Sequence, residues 1–251
     1  MRIMANPQIT VVMATYRQAK YLEESLKSLR SQFDDALNPR TILVAVSKDS
    51  ASGGFHNDIA RFAGSFITVP KPNLWNQRQT GLINVDTPYV TFFDSDDVML
   101  PGWLDKGLKV AEEISSRGKI PIVGPSYRMV DEKLNPIQDV ILPEFSMDKM
   151  MNGCIIPDFS ITTTDALRSV GGFFDPDGYD PSSPYYCYSM WLRILKKYGD
   201  QVEVRLLPDI GFLYRQHKKA MHHRFAKTKR KSQENVRRQR EIARHYFPEV
   251  T

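Results

Sequence analysis

Short β-branched runs alternate with helix-patterned stretches through the first hundred residues, and this alternation most narrows the folds open to the chain. A strand, a crossover helix and another strand build a parallel sheet with helices on its faces. Gln8 to Ala14 reads as a buried strand, and Gln18 to Gln32 then sets Leu22, Leu26 and Leu29 on one helical face. Thr41 to Val46 and Ser65 to Val69 read as further strands, separated by the turn-rich Ser50-Ala51-Ser52-Gly53-Gly54. Asn76 to Val85 is patterned as a helix, Tyr89 to Phe93 as a fourth strand, and Pro101 suits the first turn of the next helix. After residue 118 the pattern loosens. Strands are expected near 120–123 and 127–130, helices over 147–152 and 188–198, strands over 201–207 and 210–214, and a last helix over 225–246. The expected class is α/β, a Rossmann-like and mostly parallel sheet flanked by helices, with a basic helical tail.

The sharpest local signal is Phe92-Phe93-Asp94-Ser95-Asp96-Asp97, at the carboxyl end of the fourth strand. Open α/β sheets bind ligands at the carboxyl ends of their strands. Three carboxylates within four positions repel one another unless a cation sits among them. Hard oxygen ligands favour Mg²⁺ or Mn²⁺, ions that also bridge phosphate oxygens. Taken alone, the same residues also fit an aspartate-rich turn capping the following helix.

Five stretches in order resemble the family 2 inverting glycosyltransferases, which have the GT-A nucleotide-sugar-binding fold. They are Val11 to Leu22 (strand, turn and helix), Asn76 to Leu82 (the Ala-Arg-Asn-x-Gly-Leu helix) and Phe93 to Asp97 with Pro101 and Leu104 (the Asp-x-Asp strand end). Gly171 to Asp175 with Trp191-Leu192-Arg193 match the acceptor-side landmarks, and Tyr214-Arg215-Gln216-His217 the late Tyr-Arg-x-His element. The resemblance spans roughly residues 8 to 217. It implies a nucleotide-sugar-binding half over 1–118, an acceptor-binding half of the same domain over 119–217, and a basic helical tail over 218–251.

The roles it implies are specific. Asp94 would contact the donor ribose or the metal, Asp96 would ligate the metal bridging the diphosphate, and His217 would approach from the far side. Asp97 would assist or cap the following helix. Thr15, Tyr16 and Arg17 would belong to the donor site, with Tyr16 offering a stacking face. Arg78 would neutralise phosphate or fix the base. Without the resemblance, Tyr16 also reads as core, Arg78 as a solvated helix residue and His217 as a surface histidine. The implied reaction transfers a sugar from a nucleoside diphosphate sugar, by family default a uridine diphosphate sugar, to an acceptor hydroxyl with inversion. Mn²⁺ or Mg²⁺ would stabilise the leaving diphosphate.

The chain departs from the family pattern twice. The family's base is an aspartate about six residues ahead of the Trp-Leu-Arg arginine, and counting back from Arg193 gives Tyr186 and Cys187 instead. A thiol substitutes poorly for a carboxylate base near neutral pH. The loop Asp175-Pro176-Asp177-Gly178-Tyr179-Asp180 supplies replacement candidates, Asp180 first and then Asp175 and Asp177. These aspartates also suit plain turn chemistry. On the second strand the usual acidic pair is replaced by Ser47-Lys48-Asp49-Ser50, leaving Asp49 as the nearby carboxylate for the base.

Charge is unevenly placed. The chain has 34 Lys+Arg against 29 Asp+Glu, a net +5. Residues 215 to 251 hold 12 basic and 3 acidic residues, a net +9, so the first 214 carry −4. A basic segment on an acidic body suits a polyanion. A hydroxymethylated base in DNA is one acceptor expected on that ground, and a lipid-linked or other saccharide is another; a solvated helix also accounts for the charge. A nucleotide-sugar-binding pseudoenzyme is the remaining alternative, given the missing base. No run approaches the roughly 18 apolar residues of a membrane span. The first seven residues lack an apolar signal core and the two cysteines cannot build a disulfide framework, so a reducing cytoplasm is the expected compartment.

Overall fold

The computed structural model describes residues 8–17, 19–32, 40–46, 65–71, 73–174, 185–218 and 229–249. Strand β1 (Ile9–Thr15), helix α1 (Ala19–Arg30), β2 (Arg40–Val46), β3 (Ser65–Val69), α2 (Leu74–Ile83) and β4 (Tyr89–Asp94) form the first half. β5 (Val98–Met99), α3 (Trp103–Ser116), β6 (Ile120–Val130), β7 (Pro136–Val140), α4 (Met147–Asn152), β8 (Ile161–Thr163) and α5 (Thr164–Ser169) follow. The chain then forms α6 (Tyr186–Tyr198), β9 (Val202–Arg215) and α7 (Lys229–Tyr246).

The nine strands among the described residues join one sheet in the order β3-β2-β1-β4-β8-β6-β9-β5, with β7 pairing to β6. β3, β2, β1 and β4 run parallel, and β1 and β4 carry the near-continuous buried apolar runs typical of such a sheet. Strand order reverses between β1 and β4, which leaves a crevice at their carboxyl ends where Ala14 pairs with Asp94. The other half is mixed: β8 pairs antiparallel to β4 and β6, whereas β6 and β9 run parallel.

Strand alternation divides the core into two layers. Ile9, Val11, Met13 and Phe93 face Leu22 and Leu26 of α1 and Leu104 and Leu108 of α3. Val12, Val90 and Phe92 face the opposite layer, with Leu82 of α2, Trp191 and Ile194 of α6, and Ile242 and Tyr246 of α7. The same parity turns Asp94 toward the layer holding α2 and α6.

Several boundaries differ from the sequence reading. β6 is one strand where two were expected, and β9 likewise runs through Pro208-Asp209; register shifts at Pro125/Ser126 and Ser126/Tyr127 absorb the interruptions. α3 begins at Trp103, behind Gly102 in the left-handed conformation (φ +80°), rather than at Pro101. α7 is docked along one side: Ile242, Ala243 and Tyr246 are buried, Tyr185 donates to Asn235 Oδ1 (2.7 Å) and the Cys154 N–H to Gln239 Oε1 (2.8 Å). No described helix is long and apolar enough to cross a membrane.

Candidate active site

The end of β4 and the end of β9 build one side of the site together. β5 pairs antiparallel with β9, Val98 opposite Leu213, so the residues before β5 meet those at the end of β9. Arg215 is buried there and holds the Asp96–Asp97 turn: its N–H donates to Asp97 Oδ1 (2.9 Å) and its Nε to the Asp96 carbonyl (2.7 Å). Its Nη1 donates to the Glu132 carbonyl (2.9 Å), its Nη2 pairs with Glu24, and its guanidinium lies 4.8 Å from the Tyr21 ring centre. His217, buried two residues on, brings Nε2 to 2.8 Å from Asp96 Oδ2.

Asp94, Asp96 and Asp97 each bring a carboxylate oxygen within 4.8 Å of the others. Burial, with the neighbouring Asp96 and Asp158, raises the Asp94 carboxyl above the usual carboxylate range despite Arg78 beside it. Asp97 is raised further, by burial first and then by Asp96 and Asp94. Its Oδ2 is buried without a hydrogen-bond partner among the described residues. Asp97 does not cap α3: the N-cap is Gly102, and Asp97 Oδ1 accepts from the backbone of Arg215.

Helix α2 delivers the opposing charge. Gln77, Arg78, Gly81 and Leu82 are its buried residues. Gly81 lets the helix sit against β1, since a Cβ there would stand 2.2 Å from Val12 Cγ1. The Gln77 amide donates to the Thr15 carbonyl (2.8 Å). Arg78, 1% exposed, sends Nη2 to Asp94 Oδ1 (2.6 Å) and Nη1 to both Asp158 Oδ2 (2.7 Å) and Cys187 Sγ (3.0 Å). Tyr186 lies under the guanidinium, its ring centre 5.7 Å away. Arg78 is therefore not a solvated helix arginine.

The residues expected on the donor side end and follow β1. Thr15 is buried and its hydroxyl has no partner among the described residues, Tyr16 is half-buried, and Arg17 is exposed over the Tyr16 ring (5.0 Å). Arg17 takes a left-handed backbone (φ +55°), an uncommon conformation for a side chain of its size. Asp49 and the loop candidates Asp175, Asp177 and Asp180 lie outside the described residues.

Asp158 was not singled out by the sequence. It and Asp94 border a cleft of about 330 Å³ whose other walls are Tyr127, Phe212, Tyr214, Phe159, Cys154, Leu142, Pro143 and Ile155 to Pro157. Tyr127 stacks on Phe212 at 5.2 Å and 21°. Four aromatic rings line the cleft, and among the described residues its charged lining is carboxylate alone.

Known proteins agree with this architecture. The glycosyl transferase family 2 model matches residues 10–162, from β1 into β8. The structure of S. aureus TarS 1–349 is 15% identical with a TM-score of 0.64, covering 83% of this chain and 60% of that one. Its UDP-GlcNAc complex is 14% identical with a TM-score of 0.67, covering 96% and 71%, and its UDP complex 14% with 0.64, covering 96% and 70%. At this identity the likeness is one of fold. No curated protein matches the sequence significantly. The matched segment holds β1, α2 and the aspartate-rich strand end of β4, and the chain belongs to glycosyltransferase family 2.

Proposed function

We propose that the protein transfers a sugar from a nucleoside diphosphate sugar, a uridine diphosphate sugar foremost, to an acceptor hydroxyl with inversion and with the help of a divalent cation. One observation carries this reading: Asp94, Asp96 and His217 converge at the sheet's switch point, with the buried cation Arg78 on Asp94. The TarS complexes with UDP and UDP-GlcNAc support the choice of donor.

The residues present fit a hard divalent ion. The donor set is oxygen-rich, and the buried Asp97 Oδ2 lacks a partner among the described residues. Asp94, Asp96 and His217 would hold the ion. When bound, it supplies charge stabilisation for the departing diphosphate. The chain's own residues do the rest. Arg78 fixes Asp94, Arg215 fixes the turn carrying Asp96, and Thr15, Tyr16, Arg17 and Asp49 serve the nucleoside side. The sequence offers the 175–180 loop, led by Asp180, as one source of the base, and those residues lie outside the described ones.

The aromatic cleft beside Asp94 favours a neutral saccharide acceptor, since ring faces stack on apolar sugar faces and its carboxylates would repel a polyanion. A polyanionic acceptor such as hydroxymethylated DNA is a second reading. It is favoured by the exposed Arg237, Arg238, Arg240 and Arg244, left outward by the docking of α7.

The test is a thermal-shift panel of uridine, guanosine, cytidine and thymidine diphosphates, each with and without Mn²⁺. Metal-dependent stabilisation by UDP, lost in Asp96→Ala, is the expected result. The absence of a shift from every nucleotide would sink the reading. A steep salt dependence of DNA binding, weakened by replacing Arg237 and Arg240, would move the acceptor assignment to the polyanion.

A further inference from the structure

Cys187 occupies the place where the family resemblance implies the base, and the structure rules it out for that work. It is buried, its sulfur receives the Arg78 Nη1 donor at 3.0 Å, and burial followed by the nearby Asp158 pushes its thiol well above the ordinary range. A buried thiol held neutral cannot collect a proton from an incoming hydroxyl.

The same guanidinium points to what replaces it. Arg78 holds Asp94 with Nη2 and Asp158 with Nη1, the nitrogen that also touches Cys187. Asp158 therefore stands beside the vacated base position, and both carboxylates border one cleft. Its side chain is 34% exposed, so one face meets Arg78 and another is open to a reactant.

The turn presenting it is braced on three sides. The Phe159 carbonyl accepts from Thr91 Oγ1 of β4 (2.8 Å), the Pro157 carbonyl accepts from the Ser160 N–H (3.1 Å), and a Cβ on Gly124 would stand 2.9 Å from the Pro157 ring. A base must sit within about 3 Å of the proton it takes, and a rigid turn anchored to β4 supplies that precision.

Resting on the transferase reading above, we propose that Asp158 is the catalytic base that activates the acceptor hydroxyl, in place of the carboxylate missing at Cys187. The acceptor O–H proton passes to an Asp158 carboxylate oxygen, and the freed oxygen pair forms the new bond to the anomeric carbon. The bond from that carbon to the diphosphate oxygen breaks, and its electron pair leaves on the nucleoside diphosphate. Asp158 then returns the proton to solvent.

The test follows UDP release from UDP-GlcNAc with Mn²⁺ and water as acceptor, alongside UDP affinity by calorimetry, in the full chain. Asp158→Asn is expected to lower turnover about 10²–10⁴-fold while UDP affinity stays within about threefold. Formate is expected to restore part of the turnover of Asp158→Ala, and Cys187→Asp part of that of Asp158→Asn. A purely structural role for Asp158 would show neither rescue. Turnover within about threefold of wild type in Asp158→Asn overturns the assignment, and so does a loss of UDP affinity that parallels the loss of turnover. Wild-type chain that binds UDP without releasing it from the donor overturns the base and the transfer it would serve, leaving nucleotide binding alone. Wild-type chain that does neither overturns the transferase reading beneath it.

Discussion

Removing the Arg78 guanidinium tests whether one buried cation organises the site. In Arg78→Met the helix keeps a side chain of similar length, but Asp94 and Asp158 lose their shared partner and Cys187 Sγ its donor. Breaking a buried pair by deleting one member costs about 3–5 kcal/mol, because the surviving charge stays where it was. Both carboxylates keep about a third of their surface in contact with water, at 29% and 34%, which places the cost near the lower bound. Near 3 kcal/mol, with about 2–4 °C lost per kcal/mol for a chain of this size, the melting temperature falls by about 6–12 °C.

The pH dependence of that loss has a definite sign. The folded-state pKa of Asp94 is already raised by burial, and Arg78 is what opposes the rise. A carboxyl whose folded pKa lies above its unfolded value contributes fully below the unfolded value and loses that contribution as pH climbs through the folded one. Without Arg78 the window widens. The stability deficit of Arg78→Met, measured by urea denaturation in EDTA, should therefore grow as pH rises and be larger at pH 8 than at pH 5. Adding Asp158→Asn should recover part of it, the non-additivity expected of contacting groups. A deficit below about 1 kcal/mol, or one that is flat with pH, would refute the claim that Arg78 neutralises two half-buried acids.

Other expectations follow from particular contacts. The Asp97 carboxyl is raised well above its unfolded value by burial, then by Asp96 and Asp94, so the EDTA-treated protein should lose stability as pH climbs above the ordinary carboxylate range. Mn²⁺ should cancel that slope, which melting temperatures across the range would show. Tyr246→Ala should cost about 3 kcal/mol by removing a fully buried ring from beneath α7, whereas exposed Arg240→Ala should stay within about 0.5 kcal/mol; chemical denaturation distinguishes them. Gly81→Ala sets a methyl 2.2 Å from Val12 Cγ1 and should destabilise by about 1–2 kcal/mol by the same assay, the overpacking outweighing its gain in helix propensity.

What could be read from the sequence was local. The strand Ser65–Val69 and the helix Met147–Asn152 have the bounds their residue patterns implied, because each is a short run with its own turn chemistry. The aspartates ending β4 were visible because three like charges at a strand end are unusual wherever they occur. Elements shaped by distant partners were not visible. β6 and β9 read as four pieces because Pro125 and Pro208 look like stops, and only their mutual pairing, with Ser126 Oγ donating to the Leu207 carbonyl (2.8 Å), carries the strands through. The high charge of α7 likewise concealed three inward positions, Ile242, Ala243 and Tyr246, too few for a periodic signal.

The same distinction explains why the site was half legible. Asp94 and Asp96 advertise themselves by spacing, but Asp158 is one aspartate after a proline, of a kind found in any turn. Its meaning depends on Arg78, 80 positions earlier, and on Cys187, 29 positions later. Read along the chain, Cys187 is a missing carboxylate and invites a search of the neighbouring loop. In three dimensions the vacancy lies against a guanidinium that already holds two other acids, so a substitute carboxylate need only share that cation. A buried arginine with several donors in a planar fork can keep organising acidic groups after one of them has changed its place in the sequence. A base position in this architecture is therefore better located from Arg78 outward than by counting back from Arg193.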